Sequence, residues 1–314
     1  LPAQALAANF VCLVALTGCA SPKRFEFTRI QMGVQCRIVV YGVDRASTEK
    51  AAASAFEEIA RLDAIMSDYR PESEVSRLSQ APMGEMVPID ADLAHVLTIA
   101  RRISHASDGA FDVTAGPCVA LWRRARKEGR LPQADELQAA KRLVGWRRYS
   151  TVILGEQAHF FADAPGVKID LGGIAKGYAA QRAVEILGEL EHPRSMVAMS
   201  GDIVVGDAPP NRPGWIITTP DRQRLTLANG AISTSGDDRQ FIMINGVRYS
   251  HIIDPRTGLG AIAPRPSCTV IAPRGDWADA LSTAGYLVGR EGWEKLEREF
   301  PGTRVVWGPD ERTR

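Results

Sequence analysis

The chain has 314 residues, 45% apolar and 24% charged, with a formal net charge of +1. That suits one large globular domain or two moderate ones with a real core, and with no basic block or aromatic–basic interleaving it argues against nucleic acid as a partner. Five cysteines, Cys12, Cys19, Cys36, Cys118 and Cys268, form no CxxC pair, so no zinc or redox motif and no disulfide framework is indicated.

Residues 1–18 are uncharged and largely apolar. Their run Phe10 to Leu16 is far shorter than the roughly 20 residues of a membrane-spanning helix and reads as the core of a signal peptide. Leu16-Thr17-Gly18-Cys19 has the form of a bacterial lipobox, with Cys19 as the acylated first residue of the mature protein. Each buried CH₂ of the acyl chains adds about 0.8 kcal/mol, so several chains on Cys19 hold the protein to a membrane. The expected location is the periplasmic side of a bacterial membrane. Residues 19–28 read as a linker and 29–310 as the folded domain.

Residues 36–42 read as a strand closed by glycine. Residues 47–66 read as a helix capped by Ser47 or Thr48, with Ala52, Phe56, Ile59, Leu62 and Met66 at helical spacing. A second helix is expected over 91–106, a hairpin over 151–162 and a helix over 174–190, entered through Gly172-Gly173. The basic segment 123–148 reads as a partly helical surface excursion. Short strands follow at 196–206, 214–219, 231–234, 239–244, 247–253 and 267–272, with Asn245-Gly246 as a hairpin turn. A helix over 276–288 and a strand near 303–307 complete the series. Helices and strands mix without βαβ alternation, which predicts an α+β fold with antiparallel-rich sheets.

No GxGxxG follows a strand and no GxxxxGK[ST] occurs, so a bound nucleotide must be held in another way. Four stretches concentrate glycines, carboxylates and polar groups: 108–117, 170–178, 233–237 with 251–258, and 279–283. In the second, Gly172-Gly173 permits close backbone approach, a helix start offers free N–H groups to a phosphate, and Lys176 adds charge one turn in. In the fourth, Asp279 and Thr283 share a helix face and offer hard oxygens of the kind magnesium takes. His251, between a strand and an Asp-Pro-Arg-Thr-Gly turn, is the candidate general base among five histidines. Strand alternation around Asp112 would bury Phe111 and Val113 and expose the aspartate. Tyr69 is placed to stack on an aromatic ring. Each motif taken singly also fits a tight turn, a helix cap or a half-buried side chain.

Their order and wording together resemble the ApbE family of FAD:protein FMN transferases. Met32-Gly33-Val34, Met66-Ser67-Asp68-Tyr69, Ser73 to Ser76, Gly109 to Thr114, Asp170 to Tyr178, Ser200-Gly201-Asp202, Thr234 to Asp237, His251 to Gly258 and Asp279 to Thr283 follow in family order, over about 29–290. The resemblance implies a mixed α+β structure with a T-fold-like core. It implies FAD, as substrate, against Met32, Tyr69, Ala110, Phe111, Asp112, Asp170, Lys176 and His251. It implies Mg²⁺ at Asp279, Thr283 and the Gly173 carbonyl, with Ser282 a further candidate. A threonine or serine of a target protein would attack the FMN phosphorus and AMP would leave, with His251 as base, Lys176 stabilising charge, and Asp237 or Asp254 orienting the histidine or sharing its task. Family targets are respiratory or redox-pump subunits. Three positions depart from the family pattern: Val34, Gln181 and Asp238. The residues leave open water as acceptor, which would make the protein an FAD pyrophosphatase, and also a non-enzymatic FAD-binding lipoprotein.

Overall fold

The computed structural model describes residues 21–238 and 240–309. The expected signal peptide and the expected lipobox cysteine, Cys19, lie outside the described residues. Among those described, no helix is long and apolar enough to cross a membrane.

In chain order the elements are β1 (Lys23–Gln31), β2 (Val34–Gly42), α1 (Arg45–Met66), α2 (Glu74–Leu78), β3 (Met86–Ile89) and α3 (Ala91–Ala106). A short 3₁₀ turn, Val113–Ala115, leads into α4 (Gly116–Glu128), followed by α5 (Ala134–Lys141), β4 (Tyr149–Leu154), β5 (Gln157–Ala162) and α6 (Ala175–Glu189). Then come β6 (Ser195–Met199), β7 (Asp202–Val205), β8 (Trp215–Thr218), β9 (Arg224–Leu227), β10 (Gly230–Ser235), β11 (Phe241–Ile244), β12 (Val247–Asp254), β13 (Leu259–Ile262), β14 (Cys268–Ala272), α7 (Gly275–Glu299) and β15 (Arg304–Trp307). The expected α+β class with antiparallel sheets is what the chain forms.

The central sheet has seven strands in the order β1-β2-β6-β7-β10-β14-β15, and every neighbouring pair is antiparallel. Strand alternation gives it two apolar faces. On β2, Ile38 and Val40 join the main core beneath α1, α3, α6 and α7, whereas Val39 joins a second core with Trp215 and Ile232 under the β8–β9 hairpin. A small sheet, β11-β12-β13, packs Tyr249 and Ile244 against Trp122 of α4. A third sheet, β3-β5-β4, completes the shell beside α3.

Several expectations change. Residues 23–28, read as linker, form most of β1, whose nine residues pair with β2 from Lys23↔Gly42 to Gln31↔Val34. The cap of α1 is Asp44, whose carboxylate accepts from the Ser47 N–H at 2.7 Å; Ser47 and Thr48 lie inside the helix. The run 196–206 is two strands, because Ser200 turns the chain with a φ of 59°. The 123–148 segment is mostly exposed and partly helical, as expected, and it follows the buried Trp122, which donates its indole N–H to the Ser250 carbonyl at 3.2 Å. The last helix continues past 288 through a break at Gly289.

Candidate active site

The cleft opens at the end of the central sheet where β2 and β7 begin and β6 and β10 end, and it measures about 1370 Å³. The first turns of α6 and α7 and the β12 strand close its sides. Ala110, Phe111, Asp112, Asp170, Gly173, Lys176, His251, Asp279 and Thr283 all line it. Residues dispersed over 174 positions thus share one cavity.

Its floor is charged. Lys176, one residue into α6, reaches Asp202 Oδ2 at 2.9 Å and Asp279 Oδ2 at 3.5 Å, and donates to the Gly172 carbonyl at 3.2 Å. Asp202 Oδ1 accepts from the Ser233 hydroxyl at 2.6 Å, and Asp279 Oδ2 accepts from the Gly177 N–H at 3.0 Å. This meeting of α6 and α7 needs glycine. A Cβ on Gly177 would stand 2.2 Å from the Gly275 carbonyl oxygen and 2.6 Å from Asp279 Cβ. Burial, then the Asp202 charge, push the Asp279 carboxyl above the usual carboxylate range, against the pull of Lys176. Burial opposes the charge of Lys176, yet the two carboxylates outweigh it and hold the ammonium above the ordinary lysine value.

Two carboxylates share one ammonium on this floor. The Asp279 hydrogen bonds use Oδ2, and Asp279 lines the cleft. Thr283 lies one turn on, and its Oγ1 would be 3.3 Å from a Cβ on Gly173, so the missing side chain keeps that space open. The donor set is therefore all oxygen. Among the described residues no three His, Cys, Asp or Glu side chains gather around one point. This fits magnesium, which retains waters and shares its shell with substrate phosphates. Ser282 is turned away. Its hydroxyl donates to the Asp279 carbonyl at 2.9 Å and meets Ser233 and Ser235, and it is fully buried off the cleft.

The adjoining wall is the 110–112 segment, with the Phe111 ring close to Gly173. Asp112 is not an exposed strand residue. It caps the 3₁₀ turn, accepting from the Thr114 N–H at 2.8 Å and the Thr114 hydroxyl at 2.7 Å, and is 8% exposed. Burial raises its pKa against those two bonds. Arg123 of α4 bridges the rim, meeting Asp68 at 2.6 Å and Asp170 at 3.0 Å. Burial, then Asp68, raise the Asp170 pKa. Tyr69 stands outside the cleft lining, 57% exposed, with its hydroxyl on Asp63 at 2.8 Å. Met32 occupies the β1–β2 turn with φ 49°, packed against the main core and likewise off the lining.

His251 faces the cleft from β12. Its Nδ1 lies 3.1 Å from the Gln240 carbonyl oxygen. A carbonyl only accepts, so Nδ1 carries the proton and Nε2 is left as the basic nitrogen. Burial first, then Arg126 and Lys176, lower the His251 pKa and keep the ring neutral; the Gln240 bond and Asp237 act the other way. The expected carboxylate partners are engaged elsewhere. Asp237, expected in the chemistry, is 1% exposed and off the cleft, paired with Arg248 at 3.0 Å and holding the Tyr286 hydroxyl at 3.0 Å. Asp254 forms a two-bond pair with Arg256 at 2.8 and 2.9 Å. The ring is oriented by a backbone oxygen, which no side-chain motif encodes. Of the three departing positions, Val34 and Asp238 line the cleft, and Gln181 accepts from the Gly275 N–H at 3.0 Å behind it. Arg123 is a functional candidate that motif reading passed over, and Asp202, noted only within the Ser200-Gly201-Asp202 block, gains a role as the partner of Lys176.

A lysine between two buried carboxylates, hard-oxygen donors and a neutral histidine in one open cleft define an α+β enzyme. The model of the ApbE family matches residues 32–307, and the chain belongs to that family. It is 30% identical to an FAD:protein FMN transferase of Treponema pallidum, over 97% of this chain and 91% of that protein. It is 32% identical to one of Haemophilus influenzae, over 78% of this chain and 75% of that protein. The crystal structure of an ApbE protein from Thermotoga maritima superposes with a TM-score of 0.77 at 30% identity, covering 91% of this chain and 94% of that one.

Proposed function

We propose that this protein transfers FMN from FAD to a serine or threonine hydroxyl of another protein, releasing AMP, with Mg²⁺ at Asp279, Thr283 and the Gly173 carbonyl. The observation that carries the reading is the meeting of Lys176, Asp279, Thr283 and His251 in one cleft of about 1370 Å³, roomy enough for a dinucleotide and part of an acceptor. The names of the relatives from Treponema and Haemophilus support the same activity.

The acceptor oxygen forms a new bond to the FMN phosphorus as the bond from that phosphorus to the bridging oxygen breaks. The electron pair leaves with AMP. The hydroxyl proton passes to Nε2 of His251, while the other proton stays on Nδ1, donated in a hydrogen bond to the Gln240 carbonyl. Magnesium, when bound, would neutralise charge on the bridging phosphates. Lys176, fixed by Asp202, adds a positive charge at the same place without reorganising. The phosphates are left to magnesium and Lys176, because where α6 begins the N–H groups of Gly172, Ile174, Ala175 and Gly177 are already bonded to Asp170, Leu171 and Asp279. Phe111 and the 110–112 backbone supply a flat apolar wall for an isoalloxazine. We also propose that Cys19 carries the lipid anchor on the periplasmic side, a reading that rests on the lipobox wording and is checked by the mass of the mature N-terminal peptide.

The test is FAD and magnesium with and without a candidate acceptor, followed by mass spectrometry of the acceptor. A gain of one FMN supports transfer. Free FMN alone, with the acceptor unchanged, would make the protein a hydrolase, and FAD left intact would make it a carrier.

A further inference from the structure

We infer that strand β11 is the docking edge for the acceptor protein: an extended acceptor segment adds to it as a fourth, antiparallel strand and delivers its hydroxyl beside His251. This rests on the transfer reading above. β11 is the outer strand of the small sheet, and among the described residues it pairs only with β12. An open edge is a template for another chain, and proteins ordinarily blunt one with lysine, proline or a bulge. Phe241-Ile242-Met243-Ile244 has none of these. Phe241 and Met243 are 45% and 53% exposed on one face, and the Arg248 guanidinium lies 4.1 Å from the Phe241 ring centre, so the ring is held in place.

Register makes the partner an acceptor. Phe241 faces Ser250, and one step back the Gln240 carbonyl accepts the His251 N–H at 3.1 Å as well as holding its ring. Gln240, Asp238 and His251 all line the cleft. The free edge therefore runs straight out of the reaction centre. A strand added to β11 lies two strand spacings, about 9–10 Å, from β12, a gap that two side chains bridge. In the antiparallel sense the C-terminal end of the segment meets Gln240. The hydroxyl residue then sits opposite Gln240, and the residues one and three before it share the face of Phe241 and Met243. Apolar side chains are expected at those two places.

The probe is a nonapeptide blocked at both ends, with one threonine near its C-terminus and valines one and three residues before it. A second version has the backbone amides that face β11 N-methylated. Each is incubated with the enzyme, FAD and magnesium. FMN mass gain on the peptide is measured together with amide hydrogen exchange at residues 241–244. The proposal predicts modification of the first peptide with slowed exchange in β11. Loss of two ladder bonds in the methylated peptide should lower its modification at sub-saturating concentration by about tenfold. Met243→Lys should raise KM for the peptide similarly while FAD binding stays unchanged. Equal modification of both peptides, or modification without protection of β11, overturns the proposal. So does a concentration-dependent dimer abolished by Met243→Lys, which would give the edge to a second copy of the chain. If neither peptide is modified the docking edge is wrong; the transfer reading fails separately only if excess glycerol also acquires no FMN.

Discussion

His251 has one nitrogen fixed by a carbonyl and the other free in the cleft. Replacing it by alanine removes the base without touching the charged floor, so transfer should fall about 10²–10⁴-fold while FAD binding persists; steady-state kinetics with a titration of FAD fluorescence checks both, and full activity would refute the assignment. Its lowered pKa gives a sign to the pH profile. The neutral ring is the active form, so the rate should climb with pH through a value below the ordinary 6.5 of histidine. Stability linked to the ring is complete above that unfolded value and is lost as the pH falls through the folded one. An acidic limb centred above 6.5 would contradict this. Lys176 is the other decisive side chain. Lys176→Met leaves Asp202 and Asp279 facing each other in a buried floor, and urea denaturation should show a loss of about 3–5 kcal/mol, with no change refuting the role of the lysine as their counter-charge. Lys176 and Asp279 were legible because each lies in a dense motif. The pairing of Asp202 with Lys176 and the role of the Gln240 carbonyl were not, since a partner 26 residues away and a backbone atom leave no trace in local composition.

At the scale of elements, the contact between α6 and α7 sets the site. The two helices approach closely enough that Gly177 and Gly275 must both lack side chains, and this brings Asp279 under the first turn of α6. Gly177→Ala should therefore destabilise the fold by about 1–3 kcal/mol or more, through overpacking, despite the better helix propensity of alanine. A thermal melt unchanged from wild type would show that the helices can part at no cost. The strongly periodic α3 matched its expected span of 91–106, as apolar spacing on one helical face predicts. β1 was missed because Lys23 to Gln31 mixes charged and aromatic residues on an edge strand, where half the side chains face water. Asp112 was misjudged for a related reason. Asp between apolar neighbours looks like alternation, but its carboxylate captures the Thr114 N–H and ends any strand there.

Over the whole molecule, the antiparallel sheet brings the ends of β2, β6, β7 and β10 to one place, and four distant motifs meet there. Mixed element types gave away the α+β class, but not which strand ends would be neighbours, because strand order depends on pairings far apart in the chain. Tyr69 and Met32 remain at the rim and not in the lining, while the Arg123 bridge joins Asp68 next to Tyr69 with Asp170. The most direct measurement is a crystal soaked with FAD and Mn²⁺ and recorded at the manganese edge. One anomalous peak is expected among Asp279, Thr283 and the Gly173 carbonyl, beside the pyrophosphate of an FAD whose ring lies along 110–112. A dinucleotide bound elsewhere, or manganese absent from Asp279 while FAD fills the cleft, would contradict the proposed chemistry.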